Sequence, residues 1–540
     1  MQPQLTAVDN PNSATADHFA PAREQLDDLV TTLQSPEVLA MTHGQVEQVI
    51  FTGGMELLRR LFEGHVRLRG PGEVEDDVLV TAADGSLRTR HLDHHRGLES
   101  LFGGVTFDHV GYGAEGCPSL HPLDADLNLP PESYSHGVQR RVAEEVCKQS
   151  YDETVAELRR TTGATVPKRQ VEELTIRAAT DFDAFYGQRT FVTAREVVHG
   201  TRLTVITADG KGIAMHRADL RPATRKAAEQ AAAAKAATAF AMGLPTAPDP
   251  ARDRKRLAEV AAVYGIAPFV RTPEDIIGEL QRVKAVAATR PLPADKRVWA
   301  SVTNDLDAVL GEALAEALRR DPARVTQWVS VVDGNPTQIE SLERRAKCCQ
   351  VALTIVVDLI HVAGYVWKAA HAFYKRGSDA AETWVRDRML EILRGHSSRV
   401  AAGMRRSATR RKLAVKDRAP VDDCADYLLK YRAYLHYDRY LAAGLPIASG
   451  VIEGACRYLV KDRMELTGAV WRLASAEAVL KLRALHASGD LDEYWEFHER
   501  QERARNHDVL YANQAPPRIK PPAAQALTAR SRGRHLALVP

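Results

Sequence analysis

Two short apolar runs, separated by the length of one helix, do most to limit what this chain can fold into. Residues 325–361 read VTQWVSVVDGNPTQIESLERRAKCCQVALTIVVDLIH. The runs WVSVV and VALTIVV are rich in Val and Ile, the pattern of strands buried on both faces. The polar stretch between them is long enough for a helix, and a helical crossover is how two parallel strands are joined. The unit therefore reads as βαβ, its first strand closing on Asp333 and its second on Asp358 and His361. Open α/β sheets place ligands at the carboxyl ends of parallel strands. An acid at each of two such ends is the first feature to account for.

Composition removes several classes of function. A chain of 540 residues has room for about three to four domains. A formal net charge of +2 does not announce a polyanion partner, so any nucleic-acid reading must rest on local patches. No apolar run approaches the roughly 20 residues of a membrane span, and the polar N-terminus has no signal-peptide core. Six scattered cysteines (117, 147, 348, 349, 424 and 456) include no CxxC pair. They fit reduced thiols better than a disulfide framework or a cysteine zinc site. The expected location is cytoplasmic, with the nucleoid as the site of action if DNA is bound. Neither GxxxxGK[ST] nor a strand-to-helix GxGxxG occurs, which argues against a nucleotide-driven enzyme.

Taken in order, residues 1–20 lack periodicity and are expected to be disordered. Residues 21–135 begin with helical patterns, then turn β-rich: HVRLRG, DVLVTAADGSLRTRHL and GGVTFDHVGYG look like short strands, with Asp84-Gly85 in a hairpin turn. Histidines at 91, 94, 95, 109, 121 and 136 raise the question of a metal, but their spacing is irregular and no cysteine accompanies them. They read as ordinary surface and core histidines. Residues 136–190 give three helical runs. The second (opened by Tyr151-Asp152-Glu153) closes at Gly163, and Pro167 opens the third. A helix, a short turn and a helix starting with Lys168, Arg169 and Gln170 resemble a helix-turn-helix, whose second helix offers its first side chains to base edges. An ordinary three-helix bundle is the plainer alternative.

Residues 191–364 bring strands back. FVTAREVVHGTRLTVIT runs into Asp209-Gly210-Lys211-Gly212 and then IAMHR, predicting a hairpin with Asp209 at its tip or last strand position. An Ala-rich helix, the strand candidates AEVAAVYGIAP and RVWASVTN, and the helix LDAVLGEALAEALRR lead to the βαβ unit. Three meander strands followed by two crossovers is the connectivity of a ribonuclease H-like core. In that fold the first strand lies beside the fourth, which brings Asp209 next to Asp333. Residues 365–448 read as helical throughout, with a basic run that includes Arg405, Arg406, Arg410 and Arg411. Residues 449–490 carry a helix with Glu453 near its start, followed by Arg457 and Lys461 on roughly the same side at 100° per residue. A last helix and a Pro-, Ala- and Arg-rich tail expected to be disordered fill 491–540.

Asp209, Asp333 and Glu453 thus come from two strands and a helix. Three converging carboxylates form a hard-oxygen site suited to Mg²⁺ or Mn²⁺. Two such ions can serve an in-line phosphodiester displacement without a His or Cys nucleophile.

The segments TADGKG, WVSVVDGN, IVVDLIHV, GYVWKAAHAF, ASGVIEGACRYLVKDRMELTGAVW and AEAVLKLRAL together resemble DDE transposases of bacterial insertion sequences, of the ISKra type related to the Mutator-like group. The likeness runs from about residue 120 to about residue 500. It implies an α/β, ribonuclease H-like core with an all-α insertion, which 365–448 would supply. It implies Asp209, Asp333 and Glu453 as catalytic metal ligands, two Mg²⁺ or Mn²⁺ ions, and Asp358–His361 as the supporting [C/D]xxH signature. The rival assignment makes Asp358 the second ligand. Expected partners are double-stranded DNA, both element ends and target, and further copies of the chain in a synaptic complex. The helix-turn-helix residues would read end sequence, with Arg405, Arg406, Arg410, Arg411, Arg457 and Lys461 on DNA. A catalytically inactive DNA-binding relic and a structure-specific nuclease are the competing readings.

Overall fold

A computed structural model describes residues 17–189, 202–242, 254–281 and 289–520. Expectations for the first sixteen residues, for 190–201, for most of the Pro-containing loop after the Ala-rich helix and for the last twenty lie outside them. The described residues form an α/β protein with a mixed sheet and many helices. None of those helices is long and apolar enough to cross a membrane.

The chain divides into two compact units. The first comprises Met1–Glu145, Tyr151–Leu174 and Trp495–Pro540, the second Val146–Ser150 and Thr175–Tyr494. In the first unit, helix His43–Leu68 packs against a three-stranded antiparallel sheet of β1 (Arg90–Ser100), β2 (Gly103–Ala114) and β3 (Cys117–Leu120). Alternate residues of β2 from Gly103 to Gly111 are buried, the period of a strand with one face inward. Val105 and Phe107 join Val66, Leu98, Leu123 and Leu129 in its core.

HVRLRG is not a strand. Its first four residues extend the long helix for a last turn, since Val66 faces the sheet at a helical interval. The Asp84-Gly85 turn is present, with Gly85 at φ +80° and the Ser86 amide donating to the Asp84 carboxylate. Residues 508–520 are placed rather than unstructured. Tyr511 is buried with Val74, Val80 and Leu120, and the amides of Ala512 and Lys520 donate to the carbonyls of Thr81 and Glu73.

The second unit is built on a five-stranded sheet of β4 (Leu203–Ala214), β5 (Lys255–Ile266), β6 (Ala294–Ser301), β7 (Gln327–Val332) and β8 (Leu353–Val357). The spatial order is β6-β5-β4-β7-β8. The first three strands are antiparallel; β4–β7 and β7–β8 are parallel. The first strand of the meander therefore borders the fourth. The run from Leu203 to Ala208 is wholly buried, as are the last five residues of β7 and the last three of β8. Helices Leu306–Arg320 and Leu473–Ser488 pack on the sheet. Between residues 359 and 448 the chain is helical without a strand.

The hairpin predicted at 209–212 is replaced by one continuous strand. β4 passes straight through Asp209-Gly210-Lys211-Gly212, paired residue by residue with β5 from Leu203↔Ile266 to Ala214↔Lys255. The glycines serve packing rather than a turn. A Cβ on Gly210 would meet Leu257 at 2.8 Å, and one on Gly212 would meet Lys255 at 2.9 Å.

Candidate carboxylate site

Asp209 is a mid-strand residue held by the longest pairing in the sheet. Across the parallel β4–β7 pair the offset stays at 124 residues, from Leu203↔Gln327 to Thr207↔Val331. The same offset puts Asp209 level with Asp333, on backbones about 4.8 Å apart where strands pair. Two hydrogen bonds hold the register just before it: the Thr207 hydroxyl donates to the Val331 carbonyl at 3.0 Å, and the buried Gln338 amide donates to the Ala208 carbonyl at 2.8 Å. Gln338 lies on helix Pro336–Cys348, which follows Asp333 directly. One side chain thus ties the segment after the second acid to the residue before the first.

Asp333 is exposed where β7 ends. Its Oδ1 accepts from the Asn335 amide at 2.9 Å, and the Asn335 side chain in turn caps the next helix by accepting from the Thr337 amide. Oδ2 has no protein partner among the described residues. Gly334 has φ +92°, and a Cβ there would meet the Tyr427 hydroxyl at 2.8 Å. That hydroxyl donates to the Asp333 carbonyl at 2.9 Å. The turn behind the acid is therefore pinned by an aromatic residue of helix Val415–Lys430.

Glu453 is exposed in the first turn of the six-residue helix Gly450–Ala455, with no side-chain partner among the described residues. Ala455 and Cys456 continue the chain into the sheet's surroundings, and the Cys456 thiol donates to Asp209 Oδ2 at 3.5 Å. Both carboxylates act on Cys456 electrostatically. Burial first, then the Asp209 charge, push its thiol well above the ordinary value, so it stays protonated and is no nucleophile.

From Cys456 to Lys461 the helix widens to a π-helix, a form that recurs at functional sites. Here it has an identifiable partner: Arg483 donates from Nε to the Leu459 carbonyl at 2.8 Å and from Nη2 to the Tyr458 carbonyl. Its Nη1 reaches the carbonyl of Cys147. Arg457 and Lys461 are exposed, Arg457 within 3.7 Å of Asp462, while Met464 is buried in the core.

Asp358 and Asp333 are not equivalent. Asp358 is fully buried, its Oδ1 accepting from the Ile360 amide at 2.6 Å as the N-cap of helix Leu359–Ala370. Its Oδ2 accepts from the Ser449 amide at 2.9 Å and from the Ser449 hydroxyl. Both oxygens accept from backbone amides in a fully buried setting, whereas Asp333 is exposed. Ser449 precedes the Glu453 helix, so Asp358 acts by joining two helix starts. His361 is exposed one turn further on.

A cavity of about 1080 Å³ opens beside Asp333, lined also by His361, Tyr365, Lys368, Tyr427 and Lys430. The Tyr365 and Tyr427 rings are stacked 4.1 Å apart. Asp209 and Glu453 do not line this cavity, so it adjoins the carboxylates rather than containing them.

The expected DNA-contacting residues divide by their bonding. Lys168 is paired with Asp152 at 2.6 Å, Arg169 with Glu173 at 2.9 Å, and Gln170 also donates to Glu173. They start helix Lys168–Ala178, six residues after helix Tyr151–Thr161. Arg405 is held by Asp426 and Asp422, and Arg411 lies over Phe373 and Tyr374 while donating to the Tyr374 hydroxyl. Arg406 and Arg410, one turn apart on helix Ser397–Arg410, are exposed and have no partner among the described residues.

Sequence reading passed over Cys456, Gln338, Tyr427, Arg483 and Glu259, none of which sits in a recognisable local motif. Glu259, on β5 opposite Gly210, is buried; desolvation raises its carboxyl to about 6, opposed by Arg221 and reinforced by Asp209 and Asp305. No protein-family model matches this chain, and no curated protein matches it.

Proposed function

We propose that this protein is a DDE-type DNA transposase with a ribonuclease H-like core, in which Asp209, Asp333 and Glu453 form the catalytic carboxylate set. The observation that carries the reading is the constant register of the adjacent parallel strands β4 and β7, which continued by two residues puts Asp209 level with Asp333, together with the Cys456 thiol that links Asp209 to the helix of Glu453. The donor set fits hard divalent cations of the magnesium class: three carboxylates, two of them exposed and with uncommitted oxygens. When bound, a pair of such ions supplies activation of the attacking oxygen and charge neutralisation at the leaving oxygen.

The chain's own residues do the positioning. Asp209 is held by its strand, Asp333 by the Tyr427-braced turn and Glu453 by the Asp358–Ser449 link. The cavity beside Asp333 offers stacked tyrosines to a base next to the scissile phosphate, in a lining where Lys368 and Lys430 stand with Asp423 and the Arg405-paired Asp426. Water would attack at each element end to release a 3′-OH, and that hydroxyl would then attack a target phosphodiester at the same acids. Binding of two ends at once calls for at least a dimer.

The test is a Mg²⁺- or Mn²⁺-dependent cleavage and strand-transfer assay on duplexes carrying the inverted repeats that flank the coding region. Asp209→Asn should lose both reactions by at least about 10³-fold while end binding persists. Strand transfer that survives in this variant rules the assignment out. Cleavage without joining by the wild type would favour a nuclease, and binding with neither reaction a repressor-like relic.

A further inference from the structure

The first unit holds a second group of metal-ligating side chains, outside the carboxylate site. β1 and β2 pair so that His94 lies directly opposite His109, and both side chains share the inward face with Arg96 and Gly111. His121 follows β3, and Asp124 lies in the short helix Pro122–Asp126. The His109 and His121 rings stack 4.2 Å apart at 18°. His94 stands nearly perpendicular to both, its centroid 5.1 Å from His121 and 5.9 Å from His109. Ligand atoms of His109, His121 and Asp124 all lie within 4.8 Å of one another.

The hydrogen bonds around these rings select which nitrogen is available. His109 Nδ1 is 2.9 Å from Asp124 Oδ1, and His121 Nδ1 is 3.2 Å from the Val110 carbonyl. Each acceptor needs a proton on Nδ1, which fixes the tautomer with a bare Nε2 lone pair. Imidazoles that bind metals are held in this way, by a carboxylate or a carbonyl on the other nitrogen. Asp124 is itself oriented, its Oδ2 accepting from Arg96. Both its oxygens are in use, so it serves as the partner of a ligand.

Gly111 completes the cradle. A Cβ there would meet His121 Cε1 at 2.9 Å and His94 Nε2 at 3.1 Å. The two rings therefore converge over a point of strand left bare by the glycine.

We infer that His94, His109 and His121 form a site for a divalent transition-metal ion of the zinc class, with Asp124 holding His109 in the binding tautomer. Three imidazoles with an open fourth position are an established zinc ligand set. An ion about 2.1 Å from each Nε2 would hold the ring centroids roughly 5 Å apart. The 5.1 Å and 5.9 Å pairs stand near that spacing, the stacked pair would open by about 1 Å, and the His94 ring would turn inward to join a group that its ligand atoms now lie outside. Such an ion would pin β1, β2 and the segment after β3 together, with its open position directed to solvent past the half-buried His94 and His121.

Cobalt(II) is the probe. Full-length protein carrying Asp209→Asn and Asp333→Asn, stripped with chelator, should bind one Co²⁺ per chain with the intense visible bands of a four- or five-coordinate nitrogen site, and Zn²⁺ should displace it. His94→Gln and His121→Gln, the two more exposed positions, should each weaken binding at least tenfold with circular dichroism unchanged. Asp124→Asn should weaken it by about 10–100-fold without changing the spectrum's type. Weak six-coordinate bands, no stoichiometric uptake, or binding unaffected by the histidine substitutions would overturn the site. Loss of DNA cleavage plays no part in the readout, so the carboxylate assignment stands or falls separately.

Discussion

Replacing Asp358 separates a structural acid from the proposed metal ligand, Asp333. Its carboxylate accepts from the Ile360 amide, the Ser449 amide and the Ser449 hydroxyl, and it is fully buried. Asparagine can still cap through one oxygen but turns a donor toward Ser449. The loss is one charge-assisted acceptor for two donors, about 2 kcal/mol. Alanine also forfeits the N-cap, a further 1 kcal/mol or so, and strands the Ile360 amide, for about 4 kcal/mol in all.

Asp333→Asn removes only an exposed carboxylate with a single turn contact, so its cost should stay within about 0.5 kcal/mol. Five of the six tryptophans (299, 328, 367, 384 and 471) belong to the second unit, so fluorescence-detected urea unfolding reports the relevant structure. Mn²⁺ uptake on the folded proteins, followed by electron paramagnetic resonance, supplies the second measurement. Asp358→Asn should lower stability and keep Mn²⁺ binding, and Asp333→Asn should do the opposite. An Asp358→Asn protein with unchanged stability and no Mn²⁺ binding would refute the division of roles.

Two further outcomes follow from the same geometry. Glu259 has a folded value near 6, above the ordinary carboxylate range, because burial disfavours its charge. Stability is therefore fully present below the unfolded value and declines as pH rises from about 4.5 through 6, by about 2 kcal/mol. Glu259→Gln should be more stable than wild type at pH 8 by up to that amount and equal to it at pH 4; equal urea midpoints at both pH values would contradict the assignment. On DNA, Arg406→Ala with Arg410→Ala should reduce the slope of log K against log salt by about 2, while Arg405→Ala, already neutralised by two aspartates, should shift it by much less. Equal slopes for the two variants would show that internal pairing does not decide which arginines meet phosphate.

How much of this was legible in the sequence depended on whether a feature was local. The βαβ unit could be read because β-branched runs end abruptly on Asp333 and Asp358, and each run is a buried strand. Strand order likewise put Asp209 on the strand beside that of Asp333, but the straight course of β4 could not be read, since Gly210 and Gly212 signal a turn locally. It is the pairing with β5, which lays Leu257 and Lys255 across these glycines, that keeps the segment a strand. HVRLRG failed for a similar reason: its alternation is real, but the preceding helix carries Val66 onto the core.

The histidines were set aside for irregular spacing. His94 and His109 are 15 residues apart in sequence yet face each other on neighbouring strands. No local spacing rule covers ligands that a hairpin delivers. Likewise, the basic run around Arg410 looked like one patch, and only the fold shows that Arg405 is already spoken for by Asp422 and Asp426 and Arg411 by two aromatic rings.

The uninterrupted course of β4 has one more consequence. A carboxylate in the middle of a central strand that pairs along its whole length with β5 has no independent freedom. Displacing it means displacing the sheet. Glu453 sits on two turns of helix whose continuation is wound loosely and steadied by one arginine. Adjustment to a changing substrate should therefore be asymmetric, with Asp209 as the fixed datum and Glu453 as the member that travels. Variants that loosen the site will then be found around Arg483 and Ser449 rather than in the sheet.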